Sequence, residues 1–196
     1  MKPLLLCLLL LTTSVAFAKS KPKPGAANQS ANTAASILDR SLTGLEKEFV
    51  SLVDAMPEDK FNFAPTTQGE FTGVRTFAIQ ARHVAANNYV AAATILGEKA
   101  PAGSENDNGP ENLKSKAEIL QYVKDSYAYA HKAMQSINEK TMLESIQSPW
   151  GSNQTTRFRL AIFINSHPWD HYGQMVEYAR MNGVIPPASR PQPPSQ

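Results

Sequence analysis

The sequence predicts an all-α protein built as a four-helix bundle, on three observations. Apolar residues recur at steps of three and four along each long segment, helix-capping patterns stand at segment starts, and no stretch alternates apolar with polar as a strand would. The bundle is expected over residues 33–188, with a signal peptide at 1–18, a disordered leader at 19–32 and a disordered proline-rich tail at 189–196.

The chain opens with Met1-Lys2, runs through leucines from Leu4 to Leu11 broken by Cys7, and reaches Ala16-Phe17-Ala18. A basic start, a short apolar run and small residues at −3 and −1 mark a cleavable secretory signal ending at Ala18, so a secreted or periplasmic protein is expected. The apolar run is too short for a bilayer, and no later stretch replaces it, so no stable membrane anchor is expected. Cleavage would remove the one cysteine and, among the 19 basic and 17 acidic residues, only Lys2, leaving a balance of +1. That excludes thiolate chemistry and disulfides from the mature chain, and it gives no electrostatic footprint for nucleic acid. Residues 19–32, small, polar and proline-containing, have no apolar period and are read as leader.

In the first helix Leu38, Leu42, Leu45, Phe49, Leu52 and Met56 form one continuous apolar stripe that ends at Met56-Pro57-Glu58-Asp59. A second helix is announced by the capping box Thr67-Gln68-Gly69-Glu70, with Val74, Phe77, Ala81, Ala85, Ala92 and Leu96 facing inward. Gly97 to Pro110, rich in Gly, Asn, Asp, Ser and Pro, is a long loop. The third helix begins with the capping box Ser115-Lys116-Ala117-Glu118 and turns Leu120, Val123, Tyr127, Ala130, Met134 and Ile137 inward. The fourth runs from about Thr156 to Met181, where Asn182-Gly183 supplies a left-handed cap and Pro186-Pro187 forbid continuation. Pro168 lies inside it and is expected to kink or split the helix, because it lacks the amide that would bond the carbonyl of Ile164. Four such helices bury their stripes most simply as a bundle.

The chemistry concentrates in four histidines. His167 and His171 stand four residues apart, a spacing that on a helix sets two imidazoles on one face about 6 Å apart, close enough to share a metal ion. A third ligand must come from elsewhere; His83 is the favoured candidate and His131 the reserve. Three neutral imidazoles would hold a divalent ion and leave a position open to water or a small-molecule ligand, the catalytic pattern of coordination. Gln174 and Asp170 are candidates to hold the other ring nitrogens, and both, with Tyr172, are the positions from which catalytic help is expected. Trp169, Tyr172 and Tyr178 are core or pocket-lining aromatics. The zinc-protease pattern fails, since Pro168 follows His167 where a catalytic glutamate would stand, and neither a glycine-rich phosphate loop nor a Ser/His/Asp arrangement is present.

His83, followed at long distance by His167-x3-His171-Tyr172-Gly173-Gln174 and by Tyr178-x-Arg180-Met181-Asn182-Gly183-Val184-Ile185-Pro186-Pro187, resembles the DinB-like superfamily of four-helix bundles. Met56-Pro57-Glu58-Asp59-Lys60-Phe61-Asn62-Phe63-Ala64-Pro65 is similar to that family's first inter-helix connection. The resemblance covers about residues 33–188 and implies a divalent metal, zinc, nickel or iron, held by His83 of the second helix and His167 and His171 of the fourth. It further implies kinship with metal-dependent transferases and isomerases that use low-molecular-weight thiols, from whose cytoplasmic members the signal peptide sets this chain apart. The expected function is therefore an exported metal-binding bundle, a hydrolase or transferase, with homodimerisation as the default for such folds. The competing class is a non-catalytic stress-related or partner-binding module in which the histidines are structural.

Overall fold

In the computed structural model, residues 32–66 and 72–191 are described, and the bundle follows the apolar stripes. Helix α1 spans Ala34–Ala55, α2 Phe77–Leu96, α3 Lys116–Gln135 and α4 Arg157–Met181. The expected signal peptide, most of the leader, the Thr67–Glu70 capping box and the end of the proline-rich tail lie outside the described residues.

Each helix starts where a side chain can satisfy an orphan amide. Thr33 caps α1 in a capping box with Ser36, and Ser115 caps α3 in the expected box with Glu118. Helix α2 begins at Phe77, with Thr76 as its cap, so it starts well after the Thr67–Glu70 pattern and Val74 lies in the preceding connection. The Thr76 side chain accepts from the amide of Ile79, and a local cap of this kind decides a start more directly than an apolar period does. Helix α4 ends as expected: Gly183, at φ 75°, donates to the carbonyl of Arg180 (3.0 Å) while Val184 donates to that of Ala179 (2.9 Å). Those two bonds make a Schellman motif, which needs the left-handed conformation that glycine adopts without strain.

The core is one cluster. Leu42, Leu45, Phe49 and Leu52 of α1, Val123, Tyr127 and Met134 of α3, and Leu160, Ile164 and Met175 of α4 close on α2. On α3 the residue deepest in the first turn is Ile119 rather than Leu120, which stays half-buried. Helix α2 is buried along most of its length, and its alanines at 81, 85, 86, 91, 92 and 93 allow α3 and α4 to approach closely. A polar side chain buried on such a helix is costly unless it finds a hydrogen-bond partner.

The structure refines the expected bundle at two places. The α4 helix is not split at the buried Pro168, one of the two outcomes expected there. Leu160, Ile164, Pro168, His171, Met175 and Tyr178 are all buried on one side of it, and packing along that whole stripe outweighs the roughly 3 kcal/mol that an interior proline costs. The chain is also not purely helical among the described residues: Ser145–Gln147 (β1) pairs antiparallel with Gln154–Thr156 (β2), with Ile146 opposite Thr155. Strands of three residues are too short to show a period of two. Beyond α4, Pro187–Ser189 forms a short 3-10 turn. Among the described residues no helix is long and apolar enough to cross a membrane.

Phe49 is fully buried, its ring 5.9 Å from that of Tyr127 across the α1/α3 contact. Phe49→Ala should cost about 3–5 kcal/mol, measured by urea unfolding. Ile37→Ser on the exposed side of the same helix should stay within about 0.5 kcal/mol.

Candidate metal centre

The site is built from two helix ridges facing each other. Gln80, His83 and Asn87 lie on one face of α2; His167, His171 and Gln174 lie on one face of α4. The Nε2 atom of His167 is 2.9 Å from Nε2 of His171 and 3.2 Å from Nε2 of His83. One nitrogen from each ring lies within 4.8 Å of both others, and no other group of three or more His, Cys, Asp or Glu among the described residues converges in this way. His83 and His171 are each 6 % exposed, whereas His167 is half-buried at the edge.

The far nitrogens decide which atoms face the centre. His171 Nδ1 is 2.6 Å from Oε1 of Gln80, and His83 Nδ1 meets the backbone carbonyl of Asp107. Carbonyl oxygens only accept, so both Nδ1 atoms carry the proton and both Nε2 lone pairs point inward. Gln80 is itself held, donating from Nε2 to Oε1 of Gln174 (2.8 Å), which donates from Nε2 to Asp170 (3.2 Å). Every amide in the row Asp170, Gln174, Gln80, His171 is thus oriented by the next. Asp107 arrives on the long loop after α2, where its carboxylate pairs with Arg75 (2.5 Å) and lies 3.3 Å from His83 Nδ1. Arg82 secures the same loop by donating to the carbonyl of Pro110 (2.7 Å). Gly109, at φ +70°, lies so close to α2 that a Cβ there would meet the Arg82 carbonyl oxygen at 2.7 Å.

His167 differs from its neighbours. Its ring stacks on Phe163, one turn earlier on α4, at 4.6 Å and 15°. Its buried Nδ1 has no hydrogen-bond partner among the described residues. A proton on Nε2 of His167 can serve only one of the two inward lone pairs, so two bare nitrogens still oppose each other. A cation between the rings removes that conflict. With metal–nitrogen bonds of about 2.0–2.1 Å, the nitrogen–nitrogen edges of octahedral and tetrahedral sites are about 2.9 and 3.3 Å, and the two distances seen here fall within that range. The donor set of three imidazoles suits zinc, nickel or iron alike.

His131 stands apart on α3, with Nδ1 2.6 Å from Asp39 and Nε2 3.1 Å from Glu46, both on α1. Tyr172 places its hydroxyl 3.3 Å from Glu48 of α1, Trp169 meets Tyr172 edge-on, and Tyr178 is buried against Phe63. The sequence reading did not name Gln80 or Asp107. Gln80 sits three residues before His83 on the same ridge, a visible spacing, but nothing local marks Asp107.

Burial and the neighbouring imidazoles hold these histidines neutral. Desolvation, then His171 and His83, lower the pKa of His167 to about 3; desolvation, then His83, lower that of His171 to about 4; desolvation lowers that of His83. The ordinary value in an unfolded chain is about 6.5. Below it the unfolded chain binds protons that the native site refuses, so the stability of metal-free protein is whole above about pH 6.5 and is lost as pH falls toward 4 and 3. Urea midpoints of metal-free protein should therefore drop between pH 6.5 and 5, ahead of most carboxylate titration, and drop much less in the His167→Gln/His171→Gln double variant.

A family model described as the DinB superfamily matches residues 41–175, a span that includes His83, His167, His171, Gln80 and Gln174. No curated protein matches the chain. With four bundled helices and the matched span covering most of its length, the chain belongs to the DinB superfamily.

Proposed function

We propose that this protein is an exported metal-binding member of its superfamily, holding one divalent ion through the Nε2 atoms of His83, His167 and His171. The observation that carries the reading is the convergence of three imidazole nitrogens while the opposite nitrogens of two rings are tied to Gln80 and Asp107. A bound ion supplies Lewis acidity, lowering the pKa of a coordinated water or polarising a small-molecule ligand. Three protein ligands leave room for that ligand, which supports a hydrolase or transferase over a purely structural site.

The chain's own groups have separable parts. Gln80 and the Asp107 carbonyl fix the tautomers that direct lone pairs inward, and Gln174 and Asp170 hold Gln80 in register. Phe163 covers one face of the His167 ring and is itself packed by Trp150, with ring centroids 4.5 Å apart. Export rests on the leader itself: Lys2, the leucine run and Ala16-Phe17-Ala18. Delivery across a membrane would expose the site to the metals of the outer compartment, and the mature chain would begin at Lys19.

Protein purified without an affinity tag should carry close to one equivalent of a transition metal by elemental analysis, and His83→Ala and His171→Ala should lose it while remaining helical by circular dichroism. A folded, metal-free wild type that takes up no added zinc, nickel or iron would refute the reading. Gln80→Leu should keep the fold and weaken metal binding by about 10–100-fold, because only the tautomer and orientation of His171 are released. Since the site is already neutral, metal affinity should stay level from pH 8 to 6 and fall as pH approaches about 4, where His171 begins to protonate. Mass spectrometry of the secreted chain should find Lys19 at its N-terminus.

A further inference from the structure

Beside the histidine cluster, under the turn that joins β1 to β2, lies a recess of about 300 Å³ lined by Trp150, Phe163, Arg159, Leu160 and polar uncharged residues of the hairpin. That volume is at the small end of the range that holds metabolite-sized ligands. It touches the metal centre through one shared wall, because the Phe163 ring stacks on His167 and also meets Trp150 at 4.5 Å. Trp150 is 41 % exposed.

Arg159, exposed at the rim of the recess, supplies its one charge. Among the described residues, Arg40 bonds Asn32, Arg75 pairs with Asp107, Arg82 donates to Pro110, Arg157 pairs with Glu144, Arg180 pairs with Glu177 and Arg190 donates to Ile185. Arg159 is the arginine whose guanidinium has no such partner. It stands one turn before Phe163 and two before His167 on α4, so charge, aromatic wall and histidine follow one another along a single ridge. No carboxylate lines the recess.

We propose that this recess, next to the histidine site, binds a planar, monoanionic carboxylate. Its ring lies against Trp150 and Phe163, and its carboxylate meets the planar fork of Arg159. A single cation among neutral neighbours matches one negative charge, which favours a carboxylate over a more highly charged phosphate. Binding in the recess does not depend on the proposed metal centre.

Benzoate and its neutral isostere benzamide are the probes, titrated calorimetrically into metal-free and zinc-loaded full-length mature protein. Benzoate should bind the metal-free form about ten-fold or more tighter than benzamide, and Arg159→Gln should remove that preference without altering zinc affinity. Trp150→Ala should weaken benzoate as well. Absence of benzoate binding at 10 mM or below (roughly the weak limit for a ligand this small), equal binding of the two probes, or benzoate binding untouched by Arg159→Gln overturns the proposal. Benzoate that binds only after zinc is added and ignores Arg159→Gln is coordinating the metal, which overturns the pocket and leaves the histidine centre standing. Arg159-dependent binding in a protein that takes no zinc supports the recess and removes the metal reading.

Discussion

Three imidazole nitrogens facing one another across the α2/α4 contact are the constraint around which this molecule is arranged. Lone pairs held 2.9 and 3.2 Å apart repel unless a proton or a cation stands between them. They stay there because both helices are locked by apolar packing on either side and because two of the rings are tethered at their outer nitrogens. Gln80 tethers the ring on α4, and the loop carrying Asp107 tethers the ring on α2. Each tether is polar and reaches across from another element, so the fold and the site share the same hydrogen bonds.

That arrangement explains two features of the bundle that stability alone does not favour. Helix α2 carries Gln80, His83 and Asn87 among its buried residues, where an all-alanine surface would pack at less cost. Helix α4 keeps Pro168 between its two histidines and remains helical. With His167 and His171 still one turn apart on a continuous helix, the proline leaves their facing geometry intact.

The long connection after α2 and the short hairpin before α4 play complementary parts. The first is fastened by Arg75, Arg82 and the close approach of Gly109, and it presents a backbone carbonyl to His83. The second places Trp150 against Phe163 and so shapes the approach to His167. Binding elements carried on connections and positioned by a rigid helical frame are a common division of labour in folded domains. It keeps the ligand atoms precise while leaving the surroundings free to vary.

Much of the architecture was legible in the sequence. The stripe from Leu38 to Met56, the Ser115–Glu118 capping box and the Asn182-Gly183 stop are local signals, and each resolves within a turn or two of chain; the spacing of His167 and His171 is equally local. The start of α2 was misplaced because a plausible capping pattern at Thr67 competed with the one at Thr76, and the hairpin went unseen because three-residue strands carry no period. The sequence already favoured His83 over His131, but the meeting of His83 with His167, 84 residues away, depends on which helix face turns to α4. The tertiary structure alone supplied Gln80 for His171 across 91 residues and Asp107 for His83 across 24. Composition and periodicity determine which residues seek burial and where helices begin and end; which buried polar atoms meet is settled by packing between segments far apart along the chain, and local sequence carries no measure of that.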